Sequence, residues 1–133
     1  MFNFRRKKKL KSIQGNEFRF LKLLEKIEMI LKINNNVAQA NIVSRLLILL
    51  AHREFSRFQD ELNSLEMWGG AGAVWEVHID DSDLNVDFEK SIVLLIDLMQ
   101  ESQRLTRNLK RIRNIMRKGG GTLVTWDSDG TPI

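Results

Sequence analysis

A chain of 133 residues with 43% hydrophobic content and a single proline, Pro132, is sized for one domain with its own core, which argues against general disorder. Its longest uninterrupted apolar run is only Leu46 to Ala51, which excludes a membrane-spanning helix. With no cysteine, disulfides and thiolate metal sites are excluded as well. The expected compartment is the cytoplasm.

The net charge of +4 conceals strong segregation. Residues 1–11 carry +6, residues 12–53 carry +3, residues 54–101 carry −10 and residues 102–118 carry +7. A uniformly basic nucleic-acid binder does not usually contain so acidic a middle, so the surface is expected to be bipolar.

The first segment includes Arg5, Arg6, Lys7, Lys8, Lys9 and Lys11. From Arg5 onward it offers only Leu10 for burial, which predicts a mobile basic tail over residues 1–11 and a single helical domain over residues 12–133. Its charge suits a secretory n-region. However, Ser12 to Glu17 follows in place of an apolar h-region, so it is not expected to be a signal peptide.

From about Glu17 to Lys32, Phe20, Leu24, Ile27 and Leu31 recur at helical spacing, with Asn16 placed as a cap and Asn34-Asn35-Asn36 as the break. A second helical stretch runs from about Val37 through Ala40, Val43, Leu47, Leu50, Phe58, Leu62 and Leu65. It is either one helix or two with a bend near Ala51 to Arg53, and Gly69-Gly70 ends it. Val74 to Ile79 has the β-branched and aromatic content of a short strand. A third long helix is predicted from about Asp87 to Lys118 along Phe88, Ile92, Leu95, Met99, Leu105, Leu109, Ile112 and Met116, stopped by Gly119-Gly120-Gly121.

Thr122 to Trp126 again favours extended structure. The fold class is therefore mainly α: three long helical stretches forming one core, with a small two-stranded β element from residues 74–79 and 122–126. The expected core comprises Leu24, Ile27, Leu47, Leu50, Phe58, Ile92, Leu95 and Met99.

No catalytic or cofactor motif emerges, so a non-enzymatic protein without cofactor or bound metal is expected. Asp81-x-Asp83-x-Asn85-x-Asp87-x-Glu89 alternates oxygen ligands as a calcium loop does, but Val86 and Ile92 occupy the positions that need glycine and a bidentate glutamate. His52 and His78 lie in no spaced ligand pattern. Gly69-Gly70-x-Gly72 lacks both the frame and the lysine of a phosphate loop, and reads as a helix stop with tight packing around Trp68 and Trp75.

The segment Met67-Trp68-Gly69-Gly70-Ala71-Gly72-Ala73-Val74-Trp75-Glu76-Val77 resembles a core signature of small bacterial helical proteins, M-W-G-G-x-G-S/A followed by an apolar and acidic stretch. The likeness covers about a dozen residues, and Ala73 stands where serine is commoner. Some of these proteins look like immunity proteins or antitoxins, and the resemblance implies a protein toxin as the partner. The candidate contacts are Glu66, Glu76, Asp80, Asp81, Asp83 and Asp87, with Trp68 or Trp75 as an aromatic anchor. The alternative is a nucleic-acid-binding or regulatory module using Arg5, Arg6, Lys7, Lys8 and Lys9 with Arg104, Arg107 and Arg111, which at 100° per residue share one broad face of the third helix. Attachment to a membrane surface through Phe2, Phe4 and the tail ranks below both.

Overall fold

A computed structural model describes residues 12–120 of the chain. After a 3-10 turn at Gln14–Asn16 come α1 (Glu17–Ile33), α2 (Val37–Ala51), α3 (Phe55–Leu62) and α4 (Leu65–Trp68), then a second 3-10 turn at Val74–Glu76, α5 (Ser82–Ser102) and α6 (Arg107–Gly120). The protein is mainly helical. Helix α1 packs on α2 and α5, α6 packs on α5, and α3 packs on α2. No helix among the described residues is long and apolar enough to cross a membrane.

The helix ends follow from local chemistry. Helix α1 closes with Asn35 in the left-handed region (φ 62°), while Asn35 N–H donates to the Lys32 carbonyl and Asn36 N–H to the Leu31 carbonyl. Helix α2 ends in the same double hydrogen bond, with Arg53 left-handed (φ 56°) and the N–H groups of Arg53 and Glu54 reaching the carbonyls of Leu50 and Leu49. The second predicted stretch is thus three helices: a sharp stop at the predicted bend separates α2 from α3, and a second break at Asn63-Ser64 separates α3 from α4. Asn16 does not cap α1. Its side chain is buried and its Nδ2 donates to Glu101 Oε1 at 3.2 Å, joining the start of α1 to the end of α5.

Two expectations are corrected here. The third predicted helix is a hairpin, because at Gln103 the backbone turns fully extended (φ −159°, ψ 164°) and Thr106 Oγ1 accepts from Leu109 N–H at 3.1 Å, starting α6 afresh. Its first half also begins five residues earlier than expected, at Ser82, where Asp81 caps it. The second correction concerns the β element, since the described residues contain no strand. Val74–Glu76 coils into a 3-10 turn, with Glu76 N–H bonded to Ala73 O and Val77 N–H to Val74 O, so these amides find partners locally without a neighbouring strand. Residues 122–126 and the tail over residues 1–11 lie outside the described residues.

The core draws on all six described helices, including Met67 and Trp68 of α4 and Leu109, Ile112 and Met116 of α6, with Phe20 and Phe58 edge-to-face at 5.4 Å between ring centres. Of the eight predicted core residues, Leu24, Ile27, Leu50, Phe58, Ile92, Leu95 and Met99 are buried. Leu47 is not: it is half-buried at the edge of the core, and the buried positions flanking it on α2 are Leu46, Leu49 and Leu50. The wide apolar run hid this rotation, since Ile48 in its middle is 57% exposed.

Helix register can be tested directly. Leu46→Ala and Leu95→Ala should each lower stability by about 2–5 kcal/mol, whereas Ile48→Ala should stay within about 0.5 kcal/mol, measured from urea midpoints at constant slope. A loss at Ile48 as large as that at Leu46 would place α2 in a different rotation.

Candidate functional site: an acidic edge beside Trp75

The glycine segment between α4 and the second 3-10 turn has only two glycines with a specific reason to be glycine. A Cβ on Gly69 would lie 2.7 Å from the Leu65 carbonyl oxygen, which is backbone and cannot move aside, and Gly72 has φ +89°. Hydrogen bonds then fasten the segment from several elements. Trp68 Nε1 donates to Leu62 O at 2.6 Å, Trp75 Nε1 to Gly69 O at 2.8 Å, Gln39 Nε2 of α2 to Gly72 O at 3.0 Å and Asn108 Nδ2 of α6 to Trp68 O at 3.0 Å.

The two tryptophans separate in role. Trp68 is only 4% exposed and its N–H is spent inside the fold, so it belongs to the core. Trp75 is half-buried, with the Arg111 guanidinium 6.0 Å from its ring centre. Its ring contributes, with Glu76, His78, Asn85, Glu89 and Met116, to an open cleft of about 420 Å³.

Next to this cleft the chain from Val77 to Asp81 is held by asparagines. Asn34, in the turn after α1, donates from Nδ2 to His78 O at 3.1 Å and accepts from Asp80 N–H on Oδ1 at 3.1 Å. Asn85 Oδ1 accepts from Ile79 N–H at 3.2 Å, and the Ile79 side chain between them is buried. Asp81 Oδ1 accepts from Leu84 N–H at 2.9 Å as the α5 cap. Asp81 Oδ1 and Asn85 Oδ1, which in the sequence alternate like calcium ligands, each accept from a backbone amide.

What this framework presents outward is negative charge. Glu76, Asp80, Asp81, Asp83 and Asp87 are all exposed. Asp83 and Asp87 stand four residues apart on one face of α5; Asp83 lies in its first turn, where the helix dipole favours a carboxylate, and Asp87 lies one turn further on. Among the described residues Glu76, Asp80, Asp83 and Asp87 form no ion pair. Other acids of the middle block do: Arg45 of α2 binds both Glu61 and Glu66, Arg57 reaches Glu54 and Glu61, and Arg19 lies 3.8 Å from Glu101. Glu66, on α4, is thus ion-paired with Arg45, unlike Glu76, Asp80, Asp83 and Asp87.

The basic residues also divide. Arg104 precedes α6 and so does not continue its face, which corrects the shared helical face expected for Arg104, Arg107 and Arg111. Arg113 and Arg117 turn inward onto Asp97, at 2.9 and 3.2 Å, and Arg113 also donates to Gln100. Arg111 is hydrogen-bonded to Asn108 beneath its Trp75 contact. Arg107, Lys110 and Lys118 remain exposed without an ion pair among the described residues. Residues 5–9 lie outside the described residues.

Sequence reasoning missed the asparagine clamp and the Thr106 cap. The second had a legible signal, a threonine three residues before Leu109 at a gap in the apolar pattern, whereas nothing local marks Asn34 as a partner of residues 78 and 80. No family model matches the chain, and no curated protein or solved structure matches it either.

Removing the clamp should show at the edge itself. Asn34→Ala should cost about 0.5–1.5 kcal/mol by leaving the exposed His78 carbonyl and Asp80 amide to water. The Asp80 amide should then exchange with deuterium much faster than in the wild type. Unchanged exchange at Asp80 would show that Asn34 does not hold this segment.

Proposed function

We propose that this chain is a non-enzymatic, cytoplasmic immunity protein that neutralises a toxin of interbacterial competition by direct binding, using the acidic edge Glu76–Asp80–Asp83–Asp87 with Trp75 beside it. The observation that carries this reading is the contrast between these four carboxylates, exposed and without an ion pair among the described residues, and the arginine-paired carboxylates of α3 and α4. Unneutralised charge on a surface attracts a partner of opposite sign, raising the association rate and rejecting wrong partners. The edge is also held in place by Asn34, Asn85 and the Asp81 cap, so little ordering entropy is lost when it is covered. Trp75 supplies an amphipathic ring of the kind enriched in interface centres. The resemblance of residues 67–77 to helical immunity-like proteins points the same way.

The partner this chemistry fits is a protein with a basic surface, tested first as the product of the neighbouring reading frame. Co-expression with that toxin should rescue growth. Asp80→Lys, Asp83→Lys and Asp87→Lys together should slow association at least tenfold at low salt, with the difference shrinking as salt rises. Asp81 is left intact in this variant because its loss would also cost α5 about 1 kcal/mol of capping. Association measured by surface plasmon resonance that is indifferent to the triple change would remove the acidic edge as the binding surface.

A further inference from the structure

Helix α6 carries a second charged surface of the opposite sign, and we propose that it is a sequence-independent binding face for the phosphate backbone of duplex nucleic acid. The helix is strongly two-sided. Leu109, Ile112 and Met116 are buried against α5, while Arg113 and Arg117 are drawn inward onto Asp97. At 100° per residue, Arg107, Lys110, Arg111 and Lys118 fall on the opposite side, together with Asn114, and all five are exposed. Arg111 is partly committed to Asn108 and Trp75, so the cations with no ion pair among the described residues are Arg107, Lys110 and Lys118.

From Arg107 to Lys118 the helix rises about 16 Å, which spans about five base-pair steps of a duplex. No acidic residue lies on α6 to neutralise the row or to repel phosphate. The face has no carboxylate and no exposed aromatic ring, and apart from the single amide of Asn114 it offers only cationic donors, which suit phosphate oxygens. Backbone recognition is what the chemistry supports. A membrane surface fits less well. Apart from Ile115, which is 45% exposed, the large apolar residues of α6 are already buried, leaving no stripe to insert between lipids. Arg111 borders the acidic edge through Trp75, whereas Arg107, Lys110 and Lys118 form no ion pair with that edge among the described residues, and the proposal does not depend on a toxin partner.

The test is fluorescence anisotropy of the full chain with a labelled 20-base-pair DNA duplex between 50 and 200 mM salt. Wild-type affinity should fall steeply with salt. Arg107→Gln, Lys110→Gln and Lys118→Gln together should weaken binding at least tenfold at the low-salt end and flatten the log–log salt slope by about 3, since each lost phosphate contact removes about 0.9. Asp80→Asn, Asp83→Asn and Asp87→Asn should leave binding equal or tighter. All substituted side chains are exposed, so thermal melts should match the wild type, and the smaller Lys110→Gln, Lys118→Gln pair should flatten the slope by about 2. Three results would overturn the proposal: no duplex binding by the wild type, binding unchanged by the glutamine variants, or binding to phosphatidylserine vesicles but not to the duplex.

Discussion

The burial of α5 is the constraint on which the rest depends. Residues 91–96 are buried without interruption, so this helix has no polar face in its middle and must be covered on more than one side. Even Ser91 is buried there, its hydroxyl donating back to the Asp87 carbonyl at 2.8 Å. Helix α1 covers one side of α5 and α6 another. Each fully buried leucine or isoleucine contributes about 1.5–3 kcal/mol, enough in sum to dominate over any single surface ion pair at about 0–1 kcal/mol.

The charge pattern of the surface follows from that packing. Once α6 is laid on α5 through Leu109, Ile112 and Met116, its seven-cation neighbourhood must split between the inward side, where Asp97 receives Arg113 and Arg117, and the solvent side, where Arg107, Lys110 and Lys118 stay. The exposed N-terminal turn of α5 carries Asp83 and, one turn on, Asp87, with Asp80 and Glu76 in the chain leading to it. Among the described residues, ion pairing therefore consumes only part of the −10 and +7 blocks. Both signs are left for partners, which is the physical basis for reading one edge as a protein-binding surface and the other face as a polyanion-binding surface.

The parts of this structure legible in the sequence are those written in local pattern. Helical periodicity gave α1 almost to its ends, and Asn34 to Asn36 marked its stop. Seven core residues were identifiable from spacing alone. Where apolar residues are too dense, as in Ile42 to Leu50, periodicity loses its phase and cannot separate the half-buried Leu47 from the buried Leu46. Val74 to Ile79 misled for another reason: β-branched and aromatic content describes a half-buried extended segment as well as it describes a strand, and whether amides pair with a second strand or within a 3-10 turn is decided by neighbours. Asn34, Gln39 and Asn108 act over separations of 33 to 46 residues, a distance at which composition and spacing carry no signal. The acidic residues of the edge were visible in the sequence, but which of them are left unpaired was not, because that depends on where Arg45, Arg57 and Arg19 fall in space.

The central claim, that α5 and α6 form one cooperative unit whose packing sorts the surface charge, is tested most directly by native-state hydrogen exchange. The amides of Ile112 and Met116 should open with a free energy close to that of Leu95, because α6 is needed to cover α5. Opening of the α6 amides several kcal/mol more easily than those of α5 would mean that α6 detaches as a separate unit, and the division of its cations between Asp97 and solvent would then not be a fixed property of the fold.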